Sequence, residues 1–212
     1  MATRPAYLIE NRKVIRKDYD FTWISGLSAS QKQKCALSLH EAIFRTDASA
    51  NVLEVSTKSN VPLGVSMSAF NLMLDGFHLE NIFQSGKVFA FGGPYPDLLS
   101  MHPRQAKHEQ RLRTSGELVG FRYQGIDFPL EPKTLFYDYI YIRAVKGTLS
   151  ADEIRQIAEF NYFTDIEFNP AKSINTQAKT SAEIRLLLEL YGEIPDMDKE
   201  QFQVFHEQYV TA

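Results

Sequence analysis

Four sets of residues in this chain have types and spacing suited to chemistry. In the stretch "LENIFQSGKVFAFGGPYPDLL", Leu79 to Leu99, winding the chain as a helix aligns Glu80, Gln84 and Lys87: with Glu80 at zero, Gln84 falls at about 40° and Lys87 at about −20°. Leu79, Ile82, Phe83 and Gly86 sweep the adjoining face. A carboxylate, an amide and an ammonium in so narrow an arc fit the wall of a lined pocket, and fit equally an i,i+4 hydrogen bond beside a surface lysine. Asp165 and Glu167 stand two apart in "FTDIEFNP", as catalytic acids or as ordinary turn formers. Lys58, in "EVSTKSN", ends a strand-like run; desolvated it would be a nucleophile, and exposed it would be a plain surface charge. Arg104, Lys107, His108 and Arg111, extended by Arg113 and partly offset by Glu109, form a basic face suited to a phosphate backbone or to solvent.

The elements that must position these groups follow from periodicity. "AYLIE" and "KVIRKDYDFTWI" read as a hairpin around Asn11. Cys35, Ala36, Leu39, Ala42 and Ile43 recur at helical spacing behind an N-cap at Ser28 or Ser30, which puts Cys35 on a buried stripe. "NVLEVSTKS" reads as a strand, followed by a loop-rich passage with a second short strand ending at the Asp75-Gly76 turn. Pro103 opens and Gly116 closes a helix that carries the basic face. "LVGFRYQGIDFPL" alternates about Gln124-Gly125 as a hairpin, and Pro132 opens a helix with Leu135, Phe136, Tyr139, Ile142 and Arg143 on one face. Ser150 with Glu153 makes a capping box; "NYFTDIEFNPAKSIN" reads as a loop. A long helix then ends at Gly192, and a final amphipathic one carries Phe202, Phe205 and Tyr209. The pattern predicts one α+β domain dominated by helices.

Composition removes several classes of function. At 212 residues, with 44% hydrophobic and 23% charged side chains, the chain has the makings of a substantial core. A net charge of −3 argues against a protein that coats nucleic acid, although a local basic patch remains open. The single cysteine excludes an intramolecular disulfide and a cysteine-rich zinc site, and a small apolar core residue is its simplest role. No Walker loop, GxGxxG, HExxH or CxxC occurs, and the histidines are scattered, so metal and redox chemistry are not expected. No run of eighteen apolar residues is present, so a cytoplasmic protein with no membrane partner is expected.

With these pieces assembled, the chain resembles the NADAR superfamily, the YbiA-like N-glycosidases, and within it the branch encoded beside DarT-type DNA ADP-ribosyltransferase toxins. The matching pieces are "EVSTKSNVPLGVSMSAFN", "LENIFQSGKVFAFGGPYPDLL", "SGELVGFRYQGIDFPLEPKTLFYDYIYIRAV" and "FTDIEFNPAKSINTQA", spanning about Val52 to Gln177. The superfamily has an asparagine before the acidic helix and a Glu-His-Tyr-Phe-Gln-Ala run within it; Asn71 and "ENIFQS" occupy those places.

The resemblance implies a YbiA-like domain over 1–212, with a hairpin-and-helix extension at 1–50, a core at 52–191 and a closing helix at 192–212. It implies an antitoxin that hydrolyses ADP-ribose off guanine in DNA without metal or cofactor, the guanine being unpaired or flipped. Glu80 and Asp165 would divide the roles of stabilising positive charge at the sugar and moving the proton. A lysine could instead form a Schiff base with the ring-opened sugar, Lys58 being the best match and Lys87 the second. Asn71, Gln84, Lys87 and Asn175 would hold pyrophosphate and ribose, and Arg104, Lys107 and Arg111 would meet the DNA strand. The implied partners are ADP-ribosylated DNA, the ADP-ribose product and a DarT-type toxin. Two alternatives stay open: a non-catalytic antitoxin that binds ADP-ribose or toxin, and an N-glycosidase of free nucleotide-like ribosides.

Overall fold

In the computed structural model, which describes residues 1–26, 28–171 and 173–210, the opening alternation folds as the expected hairpin. Strand β1 (Ala2–Glu10) pairs with β2 (Lys13–Phe21) antiparallel in a register that ends with Glu10 opposite Lys13. Asn11 and Arg12 turn the chain with φ of 52° and 58°, the left-handed pair that matches strand twist in a two-residue turn. Helix α1 (Ala29–Thr46) starts at Ser28, whose hydroxyl accepts from the Gln31 N–H while the Gln31 side chain accepts from the Ser28 N–H. There follow β3 (Val52–Glu54), α2 (Pro62–Ser66), β4 (Met73–Leu74), β5 (Phe77–His78), α3 (Leu79–Ser85), β6 (Lys87–Phe89) and a 3-10 turn over Pro96–Ser100. Next come α4 (Pro103–Lys107), α5 (Arg111–Thr114), β7 (Leu118–Tyr123), β8 (Ile126–Phe128), α6 (Leu135–Thr148) and α7 (Ala151–Ile157). The chain closes with β9 (Tyr162–Thr164), α8 (Gln177–Tyr191) and α9 (Lys199–Tyr209). With 44% of residues helical against 20% in strands, the class is the helix-dominated α+β one expected.

These elements form two compact units, Met1–Ser68 with Leu149–Ala212, and Ala69–Thr148. The first unit is built on a four-stranded sheet in the order β2-β1-β9-β3, with β9 antiparallel to β1 and parallel to β3. The apolar stripe of α1, Cys35 included, packs with Leu8, Phe21, Val52, Tyr162 and Ile166 into its core. Strand β9 corrects the loop expected over "NYFTDIEF": Tyr162, Phe163 and Thr164 are all buried, and a neighbour on each side supplies the hydrogen bonds. A three-residue strand buried on both faces shows no period.

Close packing of α2 on β3 depends on Gly64. A Cβ there would lie 2.0 Å from the Glu54 carbonyl oxygen and 2.5 Å from the Ser59 hydroxyl. Gly64→Ala is therefore expected to cost about 2–3 kcal/mol by forcing these elements apart, read as a lowered unfolding midpoint in urea.

The second unit holds the three-stranded sheet β6-β7-β8 and the small β4-β5 ribbon. Phe83, Phe121, Phe128, Phe136 and Tyr139 pack ring on ring in its core, with centroids 4.7–6.1 Å apart. Three boundaries differ from expectation. Helix α3 stops at Ser85, because β6 pairing, with Lys87 opposite Phe121 and the Arg122 N–H on the Gly86 carbonyl at 2.7 Å, takes over the backbone. Lys87 is thus a strand residue. The single basic helix expected from Pro103 to Gly116 is instead α4 and α5: the first ends at His108, and at the start of the second the Arg111 N–H donates to Glu109 Oε1 at 3.2 Å. Helix α6 begins at Leu135, three residues beyond Pro132. Among the described residues no helix is long and apolar enough to cross a membrane.

Candidate functional site

The second unit brings together the row that the sequence aligned. Stacking of Phe83 on Phe121 and Phe136, with Leu79 and Ile82 buried, fixes the rotation of α3 and turns Glu80 and Gln84 to a common side. Gln84 Nε2 donates to Glu80 Oε1 at 2.8 Å, and Lys87 Nζ donates to Gln84 Oε1 at 2.7 Å although Lys87 has left the helix. Lys107 Nζ lies 3.9 Å from Glu80 Oε2, so the carboxylate sits between a buried amide and a cation. The Glu80 side chain keeps 20% of its surface exposed, enough to meet a ligand while held by its neighbours.

Lys87 lies over the Phe83 ring, its Nζ 4.9 Å from the centroid. Burial lowers the pKa of this ammonium, with the Glu80 charge opposing and the Lys107 charge adding to the effect. The "GGPY" segment closes against it: Phe89 N–H donates to Gly92 O at 2.7 Å and Tyr95 N–H to Ser85 O at 2.8 Å. Gly93 has φ 82°, and a Cβ there would stand 2.3 Å from the Lys87 carbonyl oxygen, so only glycine permits this approach.

Glu80 opens onto a cavity of about 540 Å³ lined by Phe70, His78, Glu80, His102, Pro103, Arg104 and Lys107. Its volume suits a nucleoside-sized ligand. Phe70 is 59% exposed, an aromatic face left uncovered beside one carboxylate and two cations. Asn81 anchors the far wall: its Nδ2 donates to the carbonyls of Leu98 at 2.8 Å and Met101 at 2.7 Å, holding the segment that leads into α4. Arg104 and Lys107 are exposed at this cavity. Arg111 is engaged elsewhere, with Asp97 at 2.5 Å, Glu109 at 3.0 Å and the Tyr95 ring at 4.6 Å, and these carboxylates raise its pKa further. Asn71 is exposed and does not line the cavity.

Lys58, Asp165 and Asn175 belong to the first unit. Asp165 directly follows β9 and is 7% exposed; its Oδ1 accepts from the N–H groups of Glu167 at 3.0 Å and Phe168 at 3.1 Å. Burial, helped by the charge of Glu54, pushes its carboxyl up to about 8, against the pull of those N–H donors. Lys58 is half-buried beyond β3; its Nζ donates to Thr57 Oγ1 at 2.8 Å, and Thr57 lies 3.4 Å from Glu167 Oε2. Asn175 Oδ1 is buried with no hydrogen-bond partner among the described residues. A recess of about 670 Å³ in this unit, lined by Glu10, Lys17, Asp47 and Tyr162 among others, includes none of these three.

Sequence reasoning missed Glu54, which is 3% exposed. A glutamate inside the apolar run "VLEV" was the available signal. Burial raises its pKa, and Ile166, Thr164 and Ser56 donate to it and oppose that rise. The Asp165 carboxyl supplies a pH dependence with a definite sign. Its folded value lies above the unfolded 3.8, so its contribution to stability is complete below about 4 and is lost as pH rises through about 8. Asp165→Asn is expected to flatten the dependence of thermal stability on pH between about 4 and about 8 and to leave the variant at least as stable as wild type above about pH 8.

The chain matches the family model of the DarT1-associated NADAR antitoxin over residues 2–211. A comparison with the curated proteins finds no match. That family match spans nearly the whole chain, including both units and every residue considered above. The chain belongs to the DarT1-associated NADAR antitoxin family.

Proposed function

We propose that the chain acts as a DNA ADP-ribosylglycohydrolase: it cleaves the bond between ADP-ribose and a guanine base in DNA and so reverses a DarT1-type toxin. The observation that carries this reading is Glu80, a partly exposed carboxylate gripped by Gln84 at 2.8 Å and facing an aromatic cavity with Arg104 and Lys107 at its edge. Cleavage of a ribose C1–N bond develops positive charge on the sugar, which a fixed carboxylate stabilises far better than water does. Water then supplies the new hydroxyl at C1, and the base leaves with a proton restored to its nitrogen. In this reading Gln84 and Lys87, held beside Glu80, are the proposed contacts to ribose and pyrophosphate. Lys58 is the proposed amine of a covalent step, tested by Lys58→Arg, and Asp165 a proposed proton carrier. The chemistry calls on side chains alone.

Arg104 and Lys107 are the proposed contacts to the DNA strand. Arg104→Ala combined with Lys107→Ala is expected to weaken binding of modified single-stranded DNA about tenfold and to reduce the salt dependence by about two counterions, measured by fluorescence anisotropy against salt.

The reading is separated from a purely toxin-binding antitoxin by ADP-ribosylated guanine in the DNA of cells that express a DarT1-type toxin. Co-expression of this chain should restore growth and clear the modification. Growth restored while the modified guanine persists would instead assign neutralisation to direct binding of the toxin.

A further inference from the structure

The exits of β3 and β9 are parallel neighbours, with Glu54 opposite Thr164. The backbone already joins them, since Val55 N–H donates to Thr164 O at 2.7 Å, so strand pairing does not need a charge. A carboxylate is nonetheless buried there, and burying one is costly unless donors surround it. Glu54 Oε1 accepts from Ser56 Oγ at 2.7 Å and from Ile166 N–H at 2.8 Å, and Oε2 accepts from Thr164 Oγ1 at 2.7 Å. The Thr164 hydroxyl has one proton and gives it to Glu54, so at 3.0 Å it must accept from His40 Nε2, which fixes the His40 tautomer. Burial lowers the pKa of His40 to about 4, in keeping with a neutral ring.

These donors bracket the groups proposed to do chemistry. Asp165 lies between Thr164 and Ile166, both of which grip Glu54. Lys58 N–H donates at 3.2 Å to Ser56 Oγ, the hydroxyl that Glu54 holds. We infer that Glu54 is a positioning residue for the proposed reaction: its carboxylate ties the two strand exits together and thereby sets where Lys58 and Asp165 stand. The role in catalysis rests on the glycohydrolase reading, whereas the hold on Asp165 does not. The titratable groups around Glu54 are Asp165 and Glu167 beyond β9, Lys58 beyond β3 and His40 on α1.

The test compares full-length wild type with Glu54→Gln, Thr164→Val and Thr164→Ser. Thermal unfolding, calorimetric affinity for ADP-ribose, single-turnover release from a guanine-modified single-stranded oligonucleotide and carboxyl-carbon NMR titration of Asp165 are measured for each. Glu54→Gln and Thr164→Val should remain folded and keep ADP-ribose affinity within about threefold, while the single-turnover rate falls about 10- to 100-fold. Thr164→Ser, which keeps the hydroxyl, should restore most of that rate. The Asp165 carboxyl should titrate at lower pH once the Glu54 charge is gone. A single-turnover rate in folded Glu54→Gln within about threefold of wild type, or an unmoved Asp165 midpoint, overturns the inference. If Glu54→Gln does not fold, Thr164→Val and Thr164→Ser decide, and equal rates overturn it. If wild type releases no ADP-ribose, the glycohydrolase reading falls, and the Asp165 midpoint decides whether the tie exists: lowered in Glu54→Gln it stands, unmoved it falls.

Discussion

Glu80→Gln is expected to leave the chain folded and to slow release of ADP-ribose from modified guanine by about 10³-fold. The substitution preserves shape, and its amide oxygen can still accept from Gln84 Nε2, now 2.8 Å from the carboxylate. What it removes is the negative charge. A tenfold change in rate corresponds to 1.36 kcal/mol, so the expected loss is about 4 kcal/mol of transition-state stabilisation, felt at the chemical step and not in affinity. Lys107 loses its 3.9 Å counter-charge, which can only strengthen its attraction to phosphate. Normal ADP-ribose affinity with a collapsed single-turnover rate is therefore the signature. A fall of less than about tenfold would remove Glu80 from the reacting centre.

The second large effect concerns the lysines. An amine that attacks C1 of the ring-opened sugar forms a carbon–nitrogen double bond as the C1–guanine bond breaks and the base leaves with a proton; water would hydrolyse that double bond to free ADP-ribose, and borohydride instead reduces it to a permanent secondary amine. Adduct is expected on Lys58 and should vanish in Lys58→Arg while persisting in Lys87→Arg. Lys58 stands beyond the end of β3, next to the end of its parallel neighbour β9, the kind of position where open parallel sheets gather reactive groups. Lys87 has a lowered pKa but is already committed to Gln84 at 2.7 Å and to the Phe83 ring. Peptide mapping of the reduced adduct decides, and an adduct on Lys87 would exchange the two roles.

What could be read from sequence followed the length of the pattern. The hairpin of β1 and β2, the capped helix α1 and the Ser150 capping box each rest on a period or a turn signal several residues long, and each stands where it was expected. Short elements decided by tertiary pairing did not show. Winding the chain through Gly86 placed Lys87 beside Gln84, and the contact exists, yet it is made from a strand because β6 pairs with β7. The basic face read as one helix breaks at His108, so Arg104 and Lys107 reach the Glu80 cavity whereas Arg111 folds back onto Asp97 and Glu109. Glu54 showed only as a glutamate in an apolar run, because its partners, Thr164 and Ile166, lie far along the chain, on or just beyond a strand too short to announce itself.

The central claim is most directly tested by the mass of the DNA. A single-stranded oligonucleotide carrying one ADP-ribosylated guanine is incubated with excess purified chain in the presence of a chelator, and both products are weighed. The expected outcome is an oligonucleotide restored to its unmodified mass, with intact guanine, and one equivalent of free ADP-ribose. An oligonucleotide that keeps its modification, or that loses the guanine together with the ADP-ribose and is left abasic, would contradict it.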